Sequence, residues 1–127
     1  MQQWQVRQGD YLLVRVDGLP EGVTPEPRER DAAVVGWGEV TGHAHRVVNG
    51  SLSALVGLDQ QPLFTPNPAV SAVVYEAEAV AARYLEVTGG DATLVHEEHN
   101  AVVVPPGTYR LIRQRTYTPA EIRFVAD

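Results

Sequence analysis

The chain has 127 residues, of which 44% are hydrophobic, enough to close a core over one domain (1–127) and too apolar for wholesale disorder. Sixteen acidic side chains face ten basic ones, for a net charge of −6, which argues against nucleic acid as the main partner. Cysteine and lysine are both absent, so disulfides, thiolate ligands, Schiff-base chemistry and a P-loop lysine are excluded.

The expected elements follow in chain order. Met1-Gln2-Gln3-Trp4-Gln5 has neither the basic start nor the apolar stretch of an export signal. No apolar run approaches the roughly 20 residues of a membrane-spanning helix. A cytoplasmic protein is therefore expected, with no membrane partner; a component of a phage or other assembled particle is the variant of that reading. Tyr11–Val16 is a β-branched run opened by Gly9-Asp10 and closed by Asp17-Gly18-Leu19-Pro20. Residues 21–31 are rich in charge and proline and read as an exposed loop. Strands are expected over 33–37 and 40–48, with Gly36 and Gly38 marking a bulge or bend between them. Asn49-Gly50 is a hairpin signal, leading into a strand over 52–56. The polar, proline-containing stretch 57–68 reads as an excursion from the core.

Residues 67–87 carry two competing patterns. Asn67-Pro68 resembles a helix cap with proline at the first helical position, and Val70, Val73, Val74, Ala77, Ala81 and Tyr84 fit helical spacing. Against this, Val73-Val74-Tyr75 favours a strand and 84–87 reads as another before the Gly89-Gly90-Asp91 turn. The preferred reading is two strands joined by a turn over 76–82, with a short helix inside 67–84 as the alternative. Strand runs at 92–96, 101–104 and 108–116 then form a meander ending near Pro119, interrupted by His96-Glu97-Glu98-His99-Asn100 and Pro105-Pro106-Gly107. Many short strands with regular turns predict an all-β domain, a small antiparallel barrel or sandwich.

The four histidines fall in two clusters and nowhere else. His43-Ala44-His45 is an H-x-H, and on an extended strand both rings lie on one face. His96 and His99 form an H-x-x-H at a turn, enclosing Glu97 and Glu98. Four imidazoles with nearby carboxylates suit a divalent transition metal far better than calcium, with zinc first and iron, manganese, nickel or copper behind it. About fifty residues separate the pairs, a spacing that suits distant strands meeting at a barrel interior or rim. Glu97 and Glu98 are the auxiliary candidates, and Thr41 or Asn100 could orient water. Arg110, Arg113, Arg115 and Arg123 crowd the C-terminal part and read as a solvated strand face paired with Glu121 or Asp127.

Other catalytic templates fit worse. There is no G-x-S-x-G. His-Glu-Glu-His is one residue short of the H-E-x-x-H spacing, which also needs a helix. An H-x-H, a later histidine and a P-x-G turn are similar to the cupin pattern. However, Pro105-Pro106-Gly107 follows the second histidine cluster, and Asn49 stands where that pattern has glutamate.

Gly38-Glu39-Val40-Thr41-Gly42-His43-Ala44-His45-Arg46 is one of a set of fairly specific motifs that also includes Arg7-Gln8-Gly9-Asp10, Tyr84-Leu85-Glu86-Val87 and His96-Glu97-Glu98-His99. Pro106-Gly107-Thr108-Tyr109, Arg113-Gln114-Arg115 and Tyr117-Thr118-Pro119 complete it. Together they resemble an uncharacterised family of small bacterial and phage proteins. The resemblance covers most of the chain except 52–80, and it implies an intact domain without supplying an activity.

The expected function is a metal-binding β protein whose ion, held by His43, His45, His96 and His99, serves structure or assembly. The first alternative is a metal-dependent hydrolase or oxygenase with Glu97 or Glu98 as base. The second is a metal-free self-assembling module. Homo-oligomerisation is expected through strand edges or metal-bridged contacts.

Overall fold

The computed structural model describes residues 4–29, 32–37, 43–56, 62–77, 81–97, 99–113, 115–117 and 122–124. Every strand pair is antiparallel. In chain order the strands are β1 (Gln5–Gln8), β2 (Tyr11–Val16), β3 (Val23–Pro25), β4 (Ala32–Trp37), β5 (Ala44–Val48), β6 (Gly50–Val56) and β7 (Pro62–Pro66). They continue as β8 (Ser71–Ala77), β9 (Ala82–Thr88), β10 (Ala92–Val95), β11 (Val102–Val104), β12 (Gly107–Arg113), β13 (Arg115–Tyr117) and β14 (Ile122–Phe124). Among the described residues there is no helix, and none that could cross a membrane.

A six-stranded sheet, β1-β2-β12-β9-β8-β3, packs against a four-stranded sheet, β11-β10-β5-β4, with β6-β7 and β13-β14 as separate pairs. The period-2 alternation of the strands builds the core between the two sheets. Leu13, Val74, Leu85, Val87 and Tyr109 come from the larger sheet; Ala33, Val35, Val47, Leu94 and Val104 come from the smaller. Tyr109 is fully buried, stacks obliquely on Trp4 at 5.2 Å and donates its hydroxyl to the Pro105 carbonyl. Arg83 ties the layers together: two nitrogens grip Glu26, and the guanidinium also donates to the Val34 and Val35 carbonyls.

Several sequence expectations are corrected. The helix alternative for 67–84 is not realised, since β8 and β9 pair from Ser71↔Thr88 to Ala77↔Ala82. Asn67 caps a turn instead: its side-chain oxygen accepts from the Ala69 amide and its carbonyl from Val70. The β-branched triplet and the long ladder outweigh the helical spacing. Asn49-Gly50 does not close a hairpin. β5 pairs with β4 and β10, β6 pairs with β7, and the chain turns from one sheet to another at this point. The excursion over 57–68 contains β7, and the loop over 21–31 contains the short edge strand β3. The C-terminal run is not a meander, because β12 joins the other sheet between β2 and β9, and β14 lies beyond Pro119.

Candidate metal centre

β5 and β10 bring the two histidine pairs together. Their ladder sets Arg46 opposite Val95 and Val47 opposite Leu94, so His45 in β5 and His96, just past β10, end at the same level. Their rings lie 4.4 Å apart. His99 follows on the next turn, 4.7 Å from His96 and nearly parallel to His45 at 6.0 Å. His43 precedes β5, outside the regular strand that sequence spacing suggested, and meets His96 edge-on at 5.6 Å. The expected four-histidine cluster therefore assembles, with His96 adjoining each of the other three.

The orientation of His45 is set by Gln8, a residue the sequence reading did not select. Gln8 is 3% exposed, and its amide nitrogen donates to the carbonyls of Leu94 at 3.0 Å and Asn100 at 2.9 Å. Two carbonyl acceptors fix which end of the amide is nitrogen, leaving Oε1 as the acceptor. His45 Nδ1, 2.9 Å away, must then carry the hydrogen and donate it. The lone pair of the neutral ring consequently sits on Nε2, on the opposite edge. Burial first, then the neighbouring His96, pulls the His45 pKa from 6.5 to about 4 against the attraction of Asp10. At neutral pH the ring is uncharged, the state a metal requires.

Nε2 of His45 and Nε2 of His99 are buried atoms without a hydrogen-bond partner among the described residues; Nδ1 of His43 and Nε2 of His96 are buried as well. Buried polar atoms are normally satisfied. The ligand-capable atoms of His43, His96 and Glu97 lie within 4.8 Å of one another.

Glu97 is held in place from two sides. Oε1 accepts the Ala44 amide at 2.7 Å and Oε2 accepts Arg46 at 2.8 Å. Burial opposes its charge, but the Ala44 amide, its own amide and Arg46 prevail, leaving the carboxyl below its ordinary pKa. Arg46 also binds Glu29 at 2.9 Å and lies over the Trp37 ring. Glu98 and Thr41, two other candidates, lie outside the described residues. Asn100 contributes its backbone carbonyl as an acceptor for Gln8.

Asp10 and Arg113 were also missed as site residues. Gly9-Asp10 is the two-residue turn joining β1 to β2 through the pair Gln8↔Tyr11, with Gly9 at φ 58°. Register places Arg113 opposite Tyr11, and its Nε donates to Asp10 Oδ2 at 2.6 Å. Glu121 and Asp127, the partners expected for the C-terminal arginines, lie outside the described residues. Tyr11 packs on His45 at 5.0 Å between ring centres. It fills the space over Gly36, where an added Cβ would lie 2.0 Å from the Tyr11 ring. Gly36 pairs with His45 just past the register shift in β4. A cleft of about 610 Å³ has Tyr11, Trp37, Arg83 and Arg113 in its walls but none of the four histidines.

No curated protein and no solved structure matches the chain significantly. One family model does, over residues 7–114, a span that contains Gln8, Asp10, both histidine pairs and Arg113. The chain belongs to that family, described as a domain of unknown function (DUF8820).

Proposed function

We propose that this protein binds a divalent transition metal, zinc first, through His43, His45, His96 and His99, and that the ion serves structure rather than catalysis. The observation that carries the reading is the buried Nε2 of His45, held as an inward-facing lone pair by Gln8 among three other imidazoles. Ring spacing supports it. With metal–nitrogen bonds of about 2.0–2.1 Å, tetrahedral imidazoles place ring centres roughly 5 Å apart, and the adjoining pairs here lie at 4.4, 4.7, 5.6 and 6.0 Å. The alternative of a metal enzyme with Glu97 as base is less well supported. Both carboxylate oxygens of Glu97 already accept hydrogen bonds from Ala44 and Arg46, which suits a group that braces ligands.

The same reading includes self-association through the small sheet. Its two edge strands, β4 and β11, carry the exposed apolar side chains Trp37 and Val103, and sheet edges are natural pairing surfaces.

The test is metal content. Protein prepared without a histidine tag should carry about one equivalent of zinc, with His45→Ala and His99→Ala retaining little. Equal content in all three, or none in the wild type purified with zinc present, refutes the reading.

A further inference from the structure

Asp10 stands 3.3 Å from the histidine cluster by its Oδ1, measured to Nε2 of His45. It is 1% exposed. Neither of these two atoms has an aligned hydrogen-bond partner among the described residues. Gln8 requires the hydrogen of the neutral His45 ring to be on Nδ1. A carboxylate oxygen therefore faces Nε2 of His45 at close range inside the protein. Such a pair needs a cation between its two atoms, a proton or a metal ion, and a 3.3 Å separation without hydrogen-bond alignment suits the metal ion.

Arg113 does not relieve this contact, since its Nε engages the other oxygen, Oδ2. It holds the carboxylate by Oδ2, the oxygen other than the one beside His45. Two adjacent ligands at about 2.1 Å from one ion are separated by roughly 3.0–3.5 Å at tetrahedral or octahedral angles, and the His45–Asp10 contact falls in that interval.

Resting on the reading of the histidine cluster as a metal centre, we infer that Asp10 is a further, monodentate ligand of the same ion, so that the centre offers four nitrogens and one oxygen. An anionic oxygen raises the coordination number above four and lowers the net charge of the loaded site from +2 to +1. Both changes broaden the centre beyond strictly tetrahedral zinc, toward ions that accept five or six ligands, such as iron(II), manganese(II), nickel(II) or cobalt(II).

Cobalt(II) titration of the whole protein, followed by its visible d–d bands, reads the coordination number directly. The wild type should show the weaker bands of a five-coordinate ion. Asp10→Asn should bind cobalt at least about tenfold more weakly and shift to the more intense four-coordinate spectrum. Arg113→Gln, which releases Oδ2 but leaves the carboxylate in the protein, should bind cobalt more tightly than Asp10→Asn and keep the weak bands of a shell above four ligands. If Asp10 serves only as the partner of Arg113, these two variants would instead behave alike, which overturns the inference. So would an Asp10→Asn spectrum and affinity equal to the wild type, with the histidine centre left standing. A wild type that takes up neither cobalt nor zinc overturns both readings together. Should Asp10→Asn fail to fold, X-ray absorption on the wild-type cobalt protein decides: a five-ligand shell supports Asp10 and a four-nitrogen shell overturns it.

Discussion

His45 and His96 are neighbours through strand register. Their rings lie 4.4 Å apart because the β5–β10 ladder pairs Arg46 with Val95, and one further antiparallel step sets position 45 against position 96. Any change that slips this ladder by one residue turns His45 to the opposite face of the sheet. The site thus depends on the sheet that carries it.

Gln8→Leu is expected to damage both fold and site. It strips a partner from His45 Nδ1 and from the Leu94 and Asn100 carbonyls while keeping similar bulk. Leaving such buried groups unsatisfied costs about 1–3 kcal/mol, and loss of a group that orients a metal-binding histidine weakens affinity about 10–100-fold. Urea unfolding and a zinc titration check the two effects separately. Unchanged zinc affinity in a folded variant would remove Gln8 from the site.

Acid should destabilise the metal-free protein over a defined window. An unfolded histidine takes up its proton near pH 6.5, whereas folded His45 does so only at about 4. Between those values the unfolded chain binds more protons, so stability rises with pH there and is lost as pH falls from 6.5 toward 4. The loss attributable to His45 is on the order of 3 kcal/mol. Denaturant midpoints at pH 7, 6, 5 and 4 measure it, with His45→Gln as the control that should flatten the profile. A wild-type profile no steeper than the control's would contradict the burial of a neutral ring.

Gly36→Ala should cost stability through Tyr11. The new Cβ would fall 2.0 Å from the Tyr11 ring, so the ring must leave its place against His45. Overpacking of this kind typically costs about 1–3 kcal/mol. Pairing the substitution with Tyr11→Ala should recover part of the added loss, a coupling that a double-mutant cycle reads. Strict additivity would show that the ring is not the obstacle.

Sedimentation should detect association of the wild type at tens of micromolar, reduced by Trp37→Arg. Trp37 is 54% exposed at an edge strand, so its replacement removes apolar contact without opening the core. A wild type that stays monomeric with and without zinc would remove the association.

The histidines were legible in the sequence because their chemistry is rare and their spacing local: H-x-H and H-x-x-H name their own candidates. The all-β class was legible for a similar reason, through short β-branched runs punctuated by turn residues. Gln8 and Asp10 stood out only as part of the Arg7-Gln8-Gly9-Asp10 motif, and their role at the site was hidden by the opposite circumstance. Gly9-Asp10 reads as an ordinary turn, and nothing local reveals that the turn lies against residues some ninety positions away. Asn49-Gly50 misled because a dipeptide reports backbone preference and not which strand the next segment will join. Asn67-Pro68 misled because an asparagine-capped turn and a helix start share their first hydrogen bonds.

The distances along the chain between the site's parts have a consequence for its biosynthesis. Gln8 must reach Leu94 and Asp10 must reach Arg113, separations of 86 and 103 residues. A nascent chain growing at about 5–20 residues per second therefore displays Gln8, Asp10, His43 and His45 seconds before His96, His99 and Arg113. During that interval any ion it meets finds only one of the two pairs of imidazoles. If the cluster holds a metal as proposed, its selection is deferred until both sheets have closed, and the finished fold, not the ribosome-bound chain, sets which ion is kept.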